Sequence, residues 1–339
     1  MSNAWSAYVL FSTHMNLAYY AIQQIVNALS IGSLYALMAV GLAMVFGILR
    51  LINFAHGDMM MIAAYFAAFA LFAKLPLLVV IIVMIGATVL VGLLVERTAY
   101  RPIRGAPEVA ALLSSFAVGQ ILQNGTLLTM RQLGRPDQIA FPAPEVLSGV
   151  LTLGVITVPR LNIVSLVAGV VLLVLLSLFV TRTTLGLSMR AAAEDLDAAR
   201  LMGININRVI ATAFAIGSGL AAVAGLLFAV QAGQINPYMG FLPVLKAFIA
   251  AVIGGFGSIA GAVVGGYALG ALEVLLTALP GIGDILPPGL VAPGTQAFLR
   301  QWLPSSLSGY RDAFVFMALI LMLLLRPNGI IGKRGRDEL

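Results

Sequence analysis

The sequence predicts an all-α polytopic membrane protein, and its composition is the first reason. Of its 339 residues, 61% are hydrophobic and only 9% are charged, whereas a soluble domain carries about 45–50% and about 25%. The mean hydropathy is +1.04. These values exclude an ordinary soluble enzyme, and they exclude a disordered chain, which needs low hydrophobicity and high charge. The chain has no cysteine, which excludes disulfides, iron–sulfur clusters and thiol catalysis.

Long charge-free runs are the second reason. A helix needs roughly 20 apolar residues to cross the hydrocarbon core of a membrane. The runs are continuous rather than alternating, so they predict helices and not an outer-membrane barrel. The runs without Asp, Glu, Lys or Arg are 19–49, 59–73, 75–95, 109–130, 161–181, 209–245, 247–272 and 313–325.

The run 209–245 is too long for one span and must be broken. Glycine and proline interrupt helices, and the break falls at Gly233, Gln234, Asn236, Pro237 and Gly240. It predicts a span over 209–230 and a short piece over 238–253, about 24 Å long at 1.5 Å per residue. That piece is a thin span or a re-entrant segment, and we expect a crossing. The run 313–325 is expected to extend outward past Arg311 and Asp312.

Basic residues give the orientation, because cytoplasmic loops carry an excess of Lys and Arg. We expect about eight crossings, with the N-terminus outside and the C-terminus inside. A transmembrane domain over 19–332 then follows a tail over 1–18 and precedes a cytoplasmic tail over 333–339. External loops span 131–160 and 280–310, a cytoplasmic loop spans 182–208, and Lys246 is expected to reach toward a membrane surface. The net charge of +6 is thereby explained without nucleic acid, which we do not expect as a partner.

The cytoplasmic loop contains the most informative motif. Its strong helix formers predict one short surface helix, with Gly203 as the residue after its C-cap. Small side chains at Ala192, Ala199 and Gly203 would let another protein approach closely. The alternative is a helix lying on lipid, which three acidic residues make less favourable because the cytoplasmic leaflet is negative.

This segment, AEDLDAARLMGIN over 193–205, resembles the coupling loop of ABC importer permeases, in the version found in LivH-type permeases of branched-chain amino acid importers. The resemblance runs from about residue 23 to residue 332. It departs from the family in the longer N-terminal tail and in the loop 280–310. Other stretches that carry it are INFAHGD (52–58), ERTAYRPIR (96–104), GQINPYMG (233–240), KAF (246–248), GGFGSIAG (254–261) and RPNGI (326–330).

The resemblance implies an inner-membrane permease that couples to separate ATPases. It implies four partners: a second related permease, two ABC ATPase subunits and a periplasmic solute-binding protein. The residues that match the coupling segment are Glu194, Asp195, Ala198, Ala199 and Gly203. The sequence has no G-x-x-x-x-G-K-[ST] motif, so we expect no cofactor in this chain, and ATP and Mg bound by the ATPases. The implied substrate is a branched-chain amino acid or a related small polar solute, with urea and short amides left open.

Polar residues beside the spans are candidates for the translocation path, because such groups are costly near lipid. Asn53, His56 and Asp58 lie at the expected cytoplasmic end of the first two spans, where an ordinary interfacial turn is the alternative. Asn236 and Pro237 are their possible counterparts in an inverted repeat. Glu273 either contacts the path or reaches the outer interface.

Gly257, Gly261 and Gly265 recur every four residues, a spacing that lets membrane helices pack closely. We expect no catalytic residue and no metal site, because the sequence has no H-E-x-x-H or G-x-S-x-G motif. The alternative function is a stand-alone secondary transporter or channel. It would need buried ionisable groups, and the predicted spans contain few.

Overall fold

The computed structural model describes residues 2–153, 156–285, 294, 310–326 and 329–331, which form helices and a few short strands. A π-helical turn, Glu96–Tyr100, continues α3. The helices are α1 Ser2–Leu49, α2 His56–Phe72, α3 Leu77–Val95, α4 Glu108–Gln132, α5 Arg160–Arg182, α6 Thr184–Glu194, α7 Leu196–Leu201, α8 Ile206–Ala232, α9 Phe241–Gly254, α10 Ile259–Ile285 and α11 Arg311–Leu325. The strands are β1 Ile139–Ala140, β2 Val150–Leu153, β3 Ile156–Pro159 and β4 Gln234–Ile235.

The helices confirm an all-α membrane protein. Five segments are long and apolar enough to cross a membrane, and α2 and α9 are shorter apolar helices. In the described part of the chain, nine helices have 14 residues or more, all except α6 and α7. A chain with its N-terminus outside and its C-terminus inside must cross an odd number of times. The predicted orientation therefore needs an odd number of crossings, which nine such helices would supply and the expected eight would not. The five long segments are Tyr19–Leu49, Leu77–Tyr100, Arg160–Arg182, Ile206–Ala232 and Ile259–Ala278.

Helix α1 is the centre of the bundle and packs against α5, α8, α9 and α10. It begins at Ser2, so residues 2–18 of the expected tail 1–18 are a helical extension of the first span. Its contact with α10 is close because Gly266 and Gly270 leave room for the backbone of α1 at Ala36 and Gly32. Small residues at such crossings allow membrane helices to approach, as in other tightly packed bundles.

The predicted break after 230 is confirmed. Helix α8 ends at Ala232, and Gly233 follows in a left-handed conformation with φ 69°, which glycine adopts at little cost. The chain then turns back, and α9 begins at Phe241. With 14 residues, α9 is about 21 Å long, so the turn before it supplies part of the crossing.

The external loop 131–160 covers this turn. Strand β1 pairs antiparallel with β4, and β2 pairs with β3 as a separate hairpin. The Phe141 amide donates to the Gly233 carbonyl at 3.0 Å. Most of the predicted loop 280–310 and the predicted tail 333–339 lie outside the described residues.

The last helix returns to the inner side. Its predicted extension past Arg311 and Asp312 is confirmed, because α11 begins at Arg311. Beyond α11, the amides of Ile330 and Ile331 donate to the carbonyls of Ile253 and Gly254, both at 2.9 Å. The chain after α11 therefore lies at the same end of the bundle as the end of α9.

Candidate coupling surface and substrate path

The cytoplasmic loop forms two helices, where one was predicted. The break falls at Asp195, which is extended (φ −154°, ψ 115°) and caps α7. Its carboxylate accepts from the amides of Asp197 at 2.8 Å and Ala198 at 2.9 Å. Asp is among the best N-cap residues because it satisfies amides that have no partner in the helix. Asp195, a residue type that favours the N-cap position, therefore lies where α6 ends and α7 starts.

Gly203 ends α7 as predicted. Its φ is +83°, and its amide donates to the Arg200 carbonyl at 3.0 Å. The next amide, of Ile204, donates to the Ala199 carbonyl at 3.1 Å. This pair of bonds is the Schellman motif, which requires a left-handed residue after the C-cap. The motif turns the chain sharply toward α8.

The exposed surface of α6 and α7 differs from the one expected. Ala192 and Ala199 are buried against the rest of the bundle, so neither can face a partner. Glu194, Asp195 and Ala198 are exposed. The most exposed apolar side chains here are Leu201, 88% exposed, and Met202, 82% exposed. The sequence analysis did not single out these two, although an apolar pair between Arg200 and Gly203 is visible in the motif. We call Glu194, Asp195, Ala198, Leu201 and Met202 the coupling surface.

Arg104, in the loop after α3, ties that loop to the start of α8. Its guanidinium donates to the Glu96 carboxylate and to the Asn207 side-chain oxygen. Burial lowers the pKa of Arg104 below its ordinary value, and the charge of Glu96 opposes that shift. These contacts join the π-helical turn after α3 to the first turn of α8. Helix α7 thus connects to a fixed point of the bundle.

The starts of α2 and α9, beside the predicted path residues 53–58 and 236–237, meet at Gly57 and Gly240. A Cβ on Gly57 would meet the carbonyl oxygen of Gly240, and a Cβ on Gly240 would meet that of Gly57. The His56 imidazole lies against Gly41, which is eight residues before the end of α1, about 12 Å along the helix. Helix α2 therefore begins inside the bundle, and so does α9. The two breaks that the sequence analysis paired are in contact.

Asn53 and Asp58 have side-chain partners at this junction, whereas the buried His56 Nε2 has no hydrogen-bond partner among the described residues. The Tyr100 hydroxyl donates to Asn53 Oδ1 at 2.7 Å. The Gln123 amide donates to Asp58 Oδ1 at 2.8 Å. Asn53, His56 and Asp58 are all buried, and none of the three lines the cavity described below.

Asn236 and Pro237 shape the turn before α9. The side-chain oxygen of Asn236 accepts from the Tyr238 amide at 2.9 Å, a local bond that asparagine makes in turns. Pro237 is buried. Both residues therefore set where α9 begins.

Glu273 belongs to an ion-pair cluster that the sequence analysis missed. Lys246 Nζ lies 3.0 Å from Glu273 Oε1 and 2.8 Å from Asp312 Oδ1. Arg311 Nε lies 2.7 Å from the same Glu273 oxygen. Tyr35 donates its hydroxyl to Glu273 Oε2. The Lys246 side chain is 10% exposed and that of Glu273 is 3% exposed, so the expectation that Lys246 reaches a membrane surface is wrong.

A cavity of about 260 Å³ opens beside this cluster. Four helices besides α10 contribute to it, and one wall is apolar. Phe228 and Ala232, in the last turns of α8, lie at the end covered by the outer loop. The cavity is therefore in the half of the bundle that the predicted orientation puts outside. Its lining residues are Ile31, Leu34, Tyr35, Phe228, Gln231, Ala232, Leu242, Pro243, Lys246, Glu273, Arg311 and Asp312.

The predicted packing glycines divide into two kinds. Gly261 packs on the backbone at Gly254, and Gly265 packs on the backbone at Ala250, so both lie where α9 and α10 touch. Gly257 precedes α10 and has φ +87° in the turn between the two helices. It serves the turn rather than a helix crossing, although it lies near Gly47 of α1.

Comparison with known proteins gives one consistent family. The family model described as "Branched-chain amino acid transport system / permease component" matches residues 24–325. The chain is 39% identical over 324 residues to the high-affinity branched-chain amino acid transport system permease protein BraD of Pseudomonas aeruginosa, covering 93% of this chain and 97% of that protein.

The permease protein LivH of Escherichia coli K12 is 37% identical to this chain over 329 residues, covering 93% of this chain and 96% of LivH. A more distant relative is the xylose transport system permease XylH of the same strain, 36% identical over 152 residues and 42% of this chain. No solved structure matches the chain significantly.

Proposed function

Because the chain belongs to the family of branched-chain amino acid transport permeases, we propose that it is the membrane-spanning permease subunit of an ATP-driven importer in the inner membrane. It carries a branched-chain amino acid or a closely related small solute. It is a transport component and not itself an enzyme. Two ATPase subunits bind and hydrolyse ATP with Mg, a second related permease completes the membrane part, and an external binding protein delivers the substrate.

The observation that carries this proposal is the coupling surface. Leu201 and Met202 are almost fully exposed on the side that the orientation predicts to be cytoplasmic, where an apolar side chain has no lipid core to enter. Exposed apolar side chains rimmed by charge are typical of protein interaction sites. Asp197 and Arg200 beside them are both exposed. An ATPase cleft that receives α7 would bury these two side chains.

The way α6 and α7 are held explains how a force would pass into the membrane part. Gly186 of α6 packs against the backbone at Phe179 and Val180 of α5. At the other end, the Schellman turn at Gly203 leads within three residues into α8. A push on α7 would therefore act on both α5 and α8 through short, well-packed connections.

The contact between Gly57 and Gly240 is the place where we expect the bundle to bend. Helices α2 and α9 are both short and both begin inside the protein, so neither continues rigidly through the membrane. Discontinuous helices of this kind mark moving regions in other transporters. Motion of α8 would reach this contact because α8 leads directly into the turn that carries Gly240.

A second function, a stand-alone secondary transporter, gains one argument from the ion-pair cluster. The sequence analysis disfavoured it because the predicted spans contain few ionisable groups. The cluster does bury Lys246 and Glu273, and buried ionisable groups could couple transport to protons or ions. The two functions differ in whether uptake needs ATP.

Reconstituted uptake tests the proposal. We expect that the permease in liposomes, together with its ATPases and binding protein, accumulates labelled leucine only when ATP is hydrolysed. Leu201→Asp should lower ATP-driven uptake at least tenfold, because the aspartate would be desolvated in the ATPase contact. The control is Val146→Asp, which puts the same charge on a 63% exposed residue of the outer loop. Uptake that persists without ATPases would favour the secondary transporter.

A further inference from the structure

We propose that the cavity beside the ion-pair cluster is a transient binding site for the zwitterionic head of a free α-amino acid. The inference deepens the proposed function, on which it rests, because it names what the permease recognises along its own path. The ion-pair cluster means Tyr35, Lys246, Glu273, Arg311 and Asp312, and the cavity is the one of about 260 Å³ beside them.

The charges of the cluster match a zwitterion. Lys246 and Arg311 provide two cations, and Glu273 and Asp312 provide two anions, so the group is formally neutral. A free amino acid is also neutral overall and carries one carboxylate and one ammonium group a few ångströms apart. Its carboxylate would bind to Lys246 and Arg311, and its ammonium to Glu273 and Asp312. A ligand of single charge would compete for groups of one sign only, and Lys246 and Glu273 are buried, where a charge that loses its partner is costly.

The charged groups of the cluster share their partners. Glu273 Oε1 lies 3.0 Å from Lys246 Nζ and 2.7 Å from Arg311 Nε, and Lys246 Nζ also lies 2.8 Å from Asp312 Oδ1. A carboxylate can accept about four hydrogen bonds and an ammonium can donate three. A zwitterion could therefore bind by taking over part of this shared pairing, its carboxylate on the cations and its ammonium on the anions.

The other wall suits an aliphatic side chain. Ile31, Leu34, Phe228 and Leu242 line the cavity together with the charged residues. About 260 Å³ corresponds to eight or nine water molecules at about 30 Å³ each, which is similar to the nine non-hydrogen atoms of leucine. The cavity thus combines a dipolar end with an apolar end at the scale of one amino acid.

The position of the cavity suits a first stop after delivery from outside. It lies in the outer half of the bundle, between the turn before α9 and the start of α11. A ligand that took over the contacts of Lys246 would release the pairing of α9 with Asp312 of α11. Binding would therefore loosen two helices that the ion pairs hold together. Weak binding is expected, because a transport site must also let its ligand leave.

The direct test is binding of L-leucine to the intact permease in lipid nanodiscs, without ATPases or binding protein, measured by saturation-transfer NMR. We expect L-leucine to bind, and we expect leucinamide and 4-methylpentanoate, which lack the carboxylate or the ammonium, to bind at least tenfold more weakly, since bonds to charged groups contribute about that factor. Equal binding of the three compounds would overturn recognition of the zwitterion.

Variants separate this site from others. Asp312→Asn and Ala232→Trp should each weaken leucine binding at least tenfold. The first removes an anion. The second fills the cavity from an exposed position at the end of α8 without changing any charge, and so it keeps the test valid if charge variants fold poorly. Arg131→Gln is the control, because Arg131, in the last turn of α4, makes an exposed ion pair with Asp137 at 3.5 Å. Unchanged binding in both test variants would refute the site.

Failure of this binding site and failure of the proposed importer function would give different experimental results. ATP-dependent uptake with no leucine binding to the permease alone would overturn the site and leave the importer intact. Leucine binding together with uptake that ignores ATP would support the site and overturn the importer.

Discussion

Gly57 and Gly240 pack backbone against backbone, and neither position has room for a Cβ. Gly57 is the second residue of α2 and Gly240 is the N-cap of α9. The positive ends of two helix dipoles therefore meet inside the bundle, which is unfavourable unless negative charge lies nearby. Asp58 in the first turn of α2 supplies it. Two breaks that are far apart in the sequence therefore form one contact in the structure, which we call the joint.

We predict that Gly57→Ala and Gly240→Ala each destabilise the folded permease by about 1–3 kcal/mol, the usual cost of overpacking. The backbone of the facing helix would have to move to admit a methyl group. Thermal unfolding of the purified protein in detergent measures this as a lower midpoint. The control is Gly125→Ala in α4, where a Cβ meets nothing within 4 Å. It should be neutral or stabilising by up to about 1 kcal/mol. Equal midpoints for all three variants would contradict the joint.

Gly203 gives a prediction about coupling. A Cβ there meets nothing within 4 Å, so the cost of substitution is the left-handed backbone itself, about 1–2 kcal/mol for most residues. Gly203→Val should disrupt the turn from α7 to α8 and abolish ATP-driven uptake while the protein remains in the membrane. Gly203→Asn should retain much of the activity, because asparagine tolerates this conformation. Uptake is compared at equal membrane levels, and normal uptake by the valine variant would argue against the role of the turn.

Asp195 tests the break between the two cytoplasmic helices. Asp195→Ala removes an N-cap and should destabilise α7 by about 1 kcal/mol. Asp195→Asn should behave like the parent, since asparagine caps equally well. Hydrogen exchange of the α7 amides measures the difference directly: faster exchange is expected in the alanine variant alone. If the α7 amides exchange faster than in the parent protein in both variants, the charge of Asp195 stabilises α7 rather than its hydrogen bonds as an N-cap.

The parts of the fold that depend on local chemistry were predictable from the sequence. Gly233 and Pro237 break a run that is too long for one span, and the left-handed preference of glycine places Gly203 after α7. These signals lie within a few residues of the features they cause. The charge-free runs likewise predicted most of the long helices. They did not predict the number of helices, because the short α9 shares an apolar stretch with the run 247–272 that follows it.

The contacts between distant segments were not predictable. The position of Lys246 in the sequence suggested that its side chain extends to the membrane surface. Its burial is explained only by Glu273 and Arg311, which later helices bring beside it. We expected Ala199 to contact a partner because its side chain is small. It faces the rest of the bundle instead, because the helix direction changes at the break at Asp195. The pairing of the two breaks was suggested by weak repeats, yet the contact of Gly57 with Gly240 depends on how α8 and α2 pack.

The central claim is that energy from partner ATPases enters through α6 and α7 on the cytoplasmic side. The chain has no cysteine, so Leu201→Cys gives a single reactive thiol on a fully exposed position, and Val146→Cys gives the matched thiol on the outer loop. A membrane-impermeant maleimide should label position 146 in intact cells and position 201 only in inside-out vesicles, where added ATPase subunits should protect it. Labelling of position 201 from outside intact cells would contradict the account.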